Sequence, residues 1–197
     1  ISDCLVGSEM CIRDSKNSYE KKIIRKFLLN RRSELSSLFE TKNKAHIHLE
    51  PLLKDHQCVG SYVSFRNELN TELIHDMLNN QKITKCLPSI DEKNRNMQYK
   101  KYDEDTSFIV NKYGIKEPDP NGENIKPSII LVPLLAFNDD GYRIGYGGGF
   151  YDKYINSNKD ITKVGVGFTF QEYKNLPIEP HDEKLDWILT EKYLYKV

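Results

Sequence analysis

The chain has 197 residues, which suits one domain of ordinary size. Its 29 Lys plus Arg balance 29 Asp plus Glu, so no global field gathers nucleic acid or an anionic membrane, and only a local basic patch stays open. Mean hydropathy is −0.64, but 8 Phe, 12 Tyr and many Ile and Leu supply core formers, and no apolar run reaches the ~18 residues of a membrane span.

Residues 1–15 (ISDCLVGSEMCIRDS) lack a basic start followed by a long apolar stretch, so they are not a signal peptide. They resemble translated adaptor sequence joined to a gene fragment, and are expected to be foreign or disordered; a genuine, poorly ordered terminus is the alternative. Residues 16–197 are expected to form the single domain. Cys4, Cys11, Cys58 and Cys86 show no CxxC and no compact disulfide spacing, which favours reduced thiols and a cytoplasmic protein.

From Ser18 to Phe39, Ile23, Ile24, Phe27, Leu28, Leu35 and Leu38 recur at helical spacing. Lys21, Lys22, Arg25, Lys26, Arg31 and Arg32 share that helix. A second helix is expected near Lys42–Lys54, and a strand over Val59–Phe65. Thr71 reads as the N-cap of a helix with Leu73, Ile74, Met77 and Leu78 on one face. Ile83–Leu87 reads as a short strand ended by Pro88, and Met97–Tyr102 as another inside a polar, turn-rich stretch. Ile129–Ala136 is the most apolar run and reads as a buried parallel strand. A glycine-rich loop follows, then a helix from Phe150 to Asn156, a strand over Lys163–Phe170, and short strands at Ile188–Thr190 and Tyr193–Val197. Strands alternating with helices predict an α/β domain with a largely parallel sheet.

The segment Asn138–Tyr154 (NDDGYRIGYGGGFYDKY) carries the chemistry. Ligands of open α/β sheets bind at the carboxyl ends of strands. Gly145, Gly147, Gly148 and Gly149 clear side chains where backbone can wrap a phosphate, and the next helix start offers free N–H groups. The run ends in neither GK[ST] nor GxGxxG, because position 150 is Phe. A tight turn explains a glycine run as well as a ligand does. Asp152 reads either as a cation ligand or as a helix N-terminal cap.

The run LVPLLAFNDDGYRIGYGGGFYDKY resembles the nucleotide-binding motif of the 5-formyltetrahydrofolate cyclo-ligase family. KKIIRKFLLNRR, SYVSFRNELNT, NKYGIKEP and HDEKLDWILTE are similar to that family's other motifs, in order, from about Lys21 to Glu191. The resemblance implies a three-layer α/β/α domain with a central mainly parallel sheet, NagB/RpiA/CoA transferase-like. It implies ATP- and Mg²⁺-dependent conversion of 5-formyltetrahydrofolate to 5,10-methenyltetrahydrofolate, with ADP and phosphate released. Phosphorylating the formyl oxygen makes it a leaving group that N10 displaces. Positioning and charge neutralisation then dominate catalysis.

By that resemblance, Lys21 and Arg25 bind ATP phosphates, together with Ile144, Gly145, Tyr146, Gly147, Gly148, Gly149, Phe150, Tyr151 and Asp152. Arg143 and Tyr151 are the catalytic candidates: Arg143 either neutralises the transferring phosphate or pairs with a loop acid, and Tyr151 either meets the pterin or packs in the core. Asp152 and Asp186 are the Mg²⁺ ligands. Phe65, Glu68, Asn70 and Tyr151 form the folate side, where a carboxylate suits the paired N–H edge of a pterin. Asn70 and Asn138 stand where the family usually has acids, which weakens a carboxylate contact at Asn70. His181 matches a motif position without a proton-transfer task, and Cys58 and Cys86 read as inert. The partners implied are ATP and 5-formyltetrahydrofolate, with or without a polyglutamate tail, in a monomer or weak dimer. No nucleic acid or membrane partner is implied. A non-catalytic folate- or nucleotide-binding module on the same scaffold is the alternative.

Overall fold

The computed structural model describes residues 3–91, 93–112 and 114–197, with side chains from residue 19 onward. Helix α1 spans Asp3–Glu40. Residues 1 and 2 and the side chains through residue 18 lie outside the described residues; the backbone of residues 3–15 forms the first part of α1. A short helix α2 (Ala45–Leu49) runs into a 3₁₀ turn (Glu50–Asp55), followed by strand β1 (Cys58–Gly60) and helix α3 (Glu72–Asn80). Next come β2 (Thr84–Asp91), β3 (Asn96–Tyr102), β4 (Phe108–Val110), β5 (Lys116–Pro118) and β6 (Ile129–Pro133). The chain ends through β7 (Ala136–Phe137), β8 (Arg143–Ile144), α4 (Phe150–Ser157), β9 (Thr162–Val166), β10 (Trp187–Leu189) and β11 (Leu194–Lys196).

The central sheet runs β11-β10-β9-β6-β1-β2-β3. β2, β1, β6, β9 and β10 are mutually parallel, and antiparallel β3 and β11 close the two edges. Alternation along β6 explains the layers. Ile129 and Leu131 face the core under α2, the 3₁₀ turn and α3, beside Val59, Val164 and Leu189. Ile130 and Val132 face the other core, with Ile155 of α4 and Ile188. A third cluster, Leu28, Leu135, Ala136, Ile144 and Leu176, docks α1 against the β7–β8 hairpin. The sheet therefore lies between helices, as an α/β/α sandwich requires.

Local departures from the sequence expectations have physical causes. The strand at residue 58 ends at Gly60 rather than running to Phe65: the Ser61 N–H still reaches the Cys86 carbonyl at 2.8 Å, and beyond it the chain leaves the sheet as an irregular loop. β2 continues through Pro88, which pairs with Tyr99 of β3. The β1 ladder on its other side ends opposite Cys86, so the missing N–H breaks no pairing with β1. Thr71 occupies the N-cap of α3 as expected, but its hydroxyl donates to the Tyr62 carbonyl at 2.9 Å instead of capping, while Asn70 Oδ1 accepts the Glu72 N–H at 2.8 Å. The apolar run after residue 129 divides at Pro133 into β6 and β7. Likewise β9 ends at Val166, and a 3₁₀ turn (Thr169–Gln171) follows. β4 and β5 form a hairpin that the polar stretch did not announce.

Helix α1 departs most. Ile23, Phe27 and Leu38 are more than half exposed, while Lys21 and Arg32 are 3% and 1% exposed. The inward stripe reads Lys21, Leu28, Arg32 and Ser36, so cations replace part of the usual apolar face. Lys22 and Lys26 are solvated.

Candidate functional site

Chain order places the sheet's switch point between β1 and β6. From β1 the chain proceeds outward to β2 and β3; from β6 it proceeds to β9, β10 and β11. Crevices of open α/β sheets form at this point, outside the carboxyl ends. Two segments leave the sheet there: Ser61–Asn70 after β1, and Leu134 onward after β6. The second forms the β7–β8 hairpin, whose continuation is the glycine loop leading into α4.

Gly147 and Gly149 have φ of +97° and +68°, conformations that side chains with a Cβ rarely adopt. Arg25 lies against this loop. Its Nε–H donates to the Gly145 carbonyl at 2.9 Å, and a Cβ on Gly147 would stand 3.2 Å from its Cζ. Gly147 and Gly148 are exposed, and the first turn of α4 leaves N–H groups without helical partners. Lys21 sits one turn earlier on α1. Its ammonium is held by Glu179 at 2.6 Å and Asp182 at 2.5 Å, so its charge is committed to the C-terminal loop. His181 stands beside this triad, 3.7 Å from Glu179, and is exposed. Glu179, His181 and Asp182 are the group of three whose ligand atoms converge among the described residues, and the Lys21 ammonium already pairs with two of them.

Of the two readings of Arg143, the loop-acid pair is realised. Its guanidinium donates to Asp152 Oδ1 at 2.8 Å and to the Glu183 carbonyl at 2.7 Å. The Glu183 N–H also reaches Asp152 Oδ1, at 3.2 Å. Both bonds use one oxygen, and the Asp152 side chain keeps 24% exposure. Asp152 Oδ2 is therefore available to a hard cation. Asp186 is differently placed. It lies just before β10, where Oδ2 accepts the Lys163 N–H at 2.8 Å and Oδ1 pairs with the Lys163 ammonium at 3.1 Å. Both its oxygens are engaged at the amino ends of β9 and β10, so the two expected Mg²⁺ carboxylates belong to separate ion pairs.

On the β1 side, Glu68 is buried, and its Oε2 accepts the Phe65 N–H at 2.9 Å. Burial pushes its carboxyl up to about 7, against the Arg32 charge, the Phe65 N–H and the Tyr146 hydroxyl, which pull the other way. Burial first, then the Glu68 charge, raises Tyr151 above the ordinary phenol range and Tyr146 to about 12. Of its two readings, Tyr151 realises the core packing, on the α4 side, and the Glu68 charge reaches it there. Phe65 is partly buried, and the Arg66 guanidinium lies 5.0 Å from its ring centre. Asn70 works at the start of α3, where its amide also donates to Glu72 at 3.2 Å. Ile144 and Phe150 pack in the two flanking cores, and Asn138 is buried, its Oδ1 accepting the Tyr142 N–H at 2.9 Å to tie the hairpin.

Sequence reasoning assigned no task to Arg32, which donates to the Arg66 carbonyl, the Leu134 carbonyl and the Tyr146 hydroxyl. The signal was its position on the α1 stripe, seven residues beyond Arg25. Cys58 and Cys86 are free thiols facing each other at 3.8 Å on neighbouring strands.

An open, mainly parallel α/β sheet with a glycine loop, an inward-facing basic helix and a buried carboxyl at its switch point defines a crevice protein of the α/β/α class. A profile of the 5-formyltetrahydrofolate cyclo-ligase family matches residues 17–191. The chain is 31% identical to the 5-formyltetrahydrofolate cyclo-ligase of Mycoplasma genitalium, over 86% of this chain and 97% of that one. It is 30% identical to the Haemophilus influenzae protein of that name, over 88% and 99%. The solved 5,10-methenyltetrahydrofolate synthetase of Aquifex aeolicus superposes with a TM-score of 0.73 at 26% identity, covering 89% of this chain and 92% of that one. The Mycoplasma pneumoniae synthetase structure shares the fold with a TM-score of 0.68 at 21% identity, covering 87% and 99%. The chain belongs to the 5-formyltetrahydrofolate cyclo-ligase family. No helix among the described residues is long and apolar enough to cross a membrane.

Proposed function

We propose that this chain converts 5-formyltetrahydrofolate to 5,10-methenyltetrahydrofolate, consuming ATP with Mg²⁺ and releasing ADP and phosphate. The observation that carries the reading is the meeting, at one switch point, of the Arg25-backed glycine loop and the buried Glu68–Tyr151 group. The loop and the first turn of α4 offer backbone N–H groups to a phosphate chain, with Arg25 beside them. Glu68, when ionised, accepts the paired N–H edge of a pterin. Tyr151, packed on the α4-side core within reach of the Glu68 charge, orients the ring system. Arg143 neutralises phosphate charge near the loop, on condition that it shares Asp152 with it. Asp152 Oδ2 is the better metal ligand on this chain; Asp186 joins it only if Lys163 lets go. Mg²⁺, when bound, supplies charge neutralisation at the phosphates. A cytoplasmic monomer or weak dimer completes the proposal.

The test is the near-ultraviolet absorbance of methenyltetrahydrofolate. It rises only when purified protein, 5-formyltetrahydrofolate, ATP and Mg²⁺ are all present. Folded protein that binds both substrates without that rise points instead to a binding module and rejects the proposal.

A further inference from the structure

Arg32 is 1% exposed, the least exposed of the described cations of α1, and the proposed reaction gives it no role. We propose that Arg32 is the positioning residue of the folate side: it ties the two strand exits together, holds Tyr146 by its hydroxyl and brings a positive charge to Glu68, in the geometry that recognises a pterin edge. The inference rests on the cyclo-ligase reading and assigns a residue within it.

Three segments far apart in sequence meet on this one guanidinium. Nε–H donates to the Arg66 carbonyl at 3.1 Å, in the loop after β1. Nη1 donates to the Leu134 carbonyl at 3.3 Å, where the chain leaves β6. Nη2 donates to the Tyr146 hydroxyl of the glycine loop, and the guanidinium lies 5.5 Å from that ring's centre. Only a planar fork with donors on three nitrogens can serve all three at once, and an ammonium cannot reproduce it. The β1 exit loop needs such a tie. Arg66 and Asn67 hold φ of +48° and +60°, which persists only where the surroundings fix it.

Arg32 also sets the charge of the site. Among the described residues, the titratable and charged groups that interact with Glu68 are Arg32 from α1, Tyr62 from the β1 exit, Tyr146 from the glycine loop and Tyr151 from α4. Arg32 is the cation among them. Removing it leaves burial to hold Glu68 protonated at neutral pH, and a protonated carboxyl no longer offers two acceptors to a pair of N–H donors.

The experiment titrates the full chain with 5-formyltetrahydrofolate by calorimetry from pH 5.5 to 8.5, with ATP binding and thermal melting measured alongside. Wild-type affinity should rise with pH through a midpoint near that of Glu68, and Glu68→Gln should abolish the midpoint. Arg32→Met should weaken folate binding about tenfold at pH 7 and move the midpoint up by about one pH unit, with ATP affinity changed less. A plain helix anchor would lower the melting temperature and weaken both ligands alike, with the midpoint unmoved; that outcome overturns the inference. If Arg32→Met does not fold, Arg32→Lys decides, since folate affinity equal to wild type would also overturn it. Wild-type protein that binds no 5-formyltetrahydrofolate removes the cyclo-ligase reading first. Wild-type binding with an unchanged Arg32→Met variant removes Arg32 alone.

Discussion

Asp152 gives one oxygen to two donors and keeps the other free, a division that suits a ligand better than a cap. Replacing it with Ala strands Arg143, whose side chain is 5% exposed, without its carboxylate. A lost charge-assisted hydrogen bond of this kind costs about 1–3 kcal/mol of stability. Cyclo-ligase turnover in Asp152→Ala is expected to drop by roughly a hundredfold or more, since charge neutralisation in a dry site carries much of such a reaction. A spectrophotometric rate equal to wild type would remove Asp152 from the metal and from the mechanism. The sequence could nominate Asp152 from its place at a helix start. It offered an acid partner for Arg143 as one of two readings, but not which acid, because the pair with Asp152, nine residues later, closes only when the hairpin folds.

Among the elements, the glycine loop makes its own prediction through two glycines with different surroundings. A Cβ at Gly149 meets nothing within 4 Å, so Gly149→Ala pays only for its left-handed backbone, about 1 kcal/mol in a denaturation curve. Gly147→Ala adds crowding of Arg25 and should raise the KM for ATP severalfold at similar stability cost. Equal KM values for the two variants would show that Arg25 does not shape the phosphate side. Most elements were legible beforehand, since period-two and period-3.6 patterns name strands and helices directly. The failures share a cause. VGSYVSF has the composition of a strand throughout, yet only its first residues have a neighbour to pair with. Helix α1 turns lysine and arginine inward, and a periodicity search that assumes apolar faces inward selects Ile23 and Phe27 instead.

At the level of the whole molecule, two buried groups titrate in opposing senses. Burial raises Glu68 from 4.5 to about 7, so its contribution to stability is complete below pH 4.5 and lost as pH rises through 7. Burial, then Lys85, lowers His75 from 6.5 to about 4, so its contribution is complete above pH 6.5 and lost as pH falls through 4. Between about pH 4.5 and 6.5 the slopes oppose, and wild-type stability should be nearly flat there. Urea midpoints should then rise with pH across that window in Glu68→Gln and fall with pH in His75→Gln. Parallel, flat curves for all three proteins would refute the opposed-slope account. Neither effect is readable from sequence, because each depends on burial that only the assembled sheet creates. The fold class was readable, because strand–helix alternation and the apolar β6 run survive any detail of packing.

The ties on α1 also bear on biosynthesis. Lys21 leaves the ribosome ahead of its carboxylate partners, Glu179 and Asp182, which lie 158 and 161 residues later. Arg25, Leu28 and Arg32 find their partners sooner, at residues 66 and 134–146. Contacts of long sequence separation close late, so the helix seats in two stages. A nascent chain halted before residue 179 should hold α1 against the β7–β8 hairpin through Leu28, with the Lys21 end free until Glu179 and Asp182 emerge.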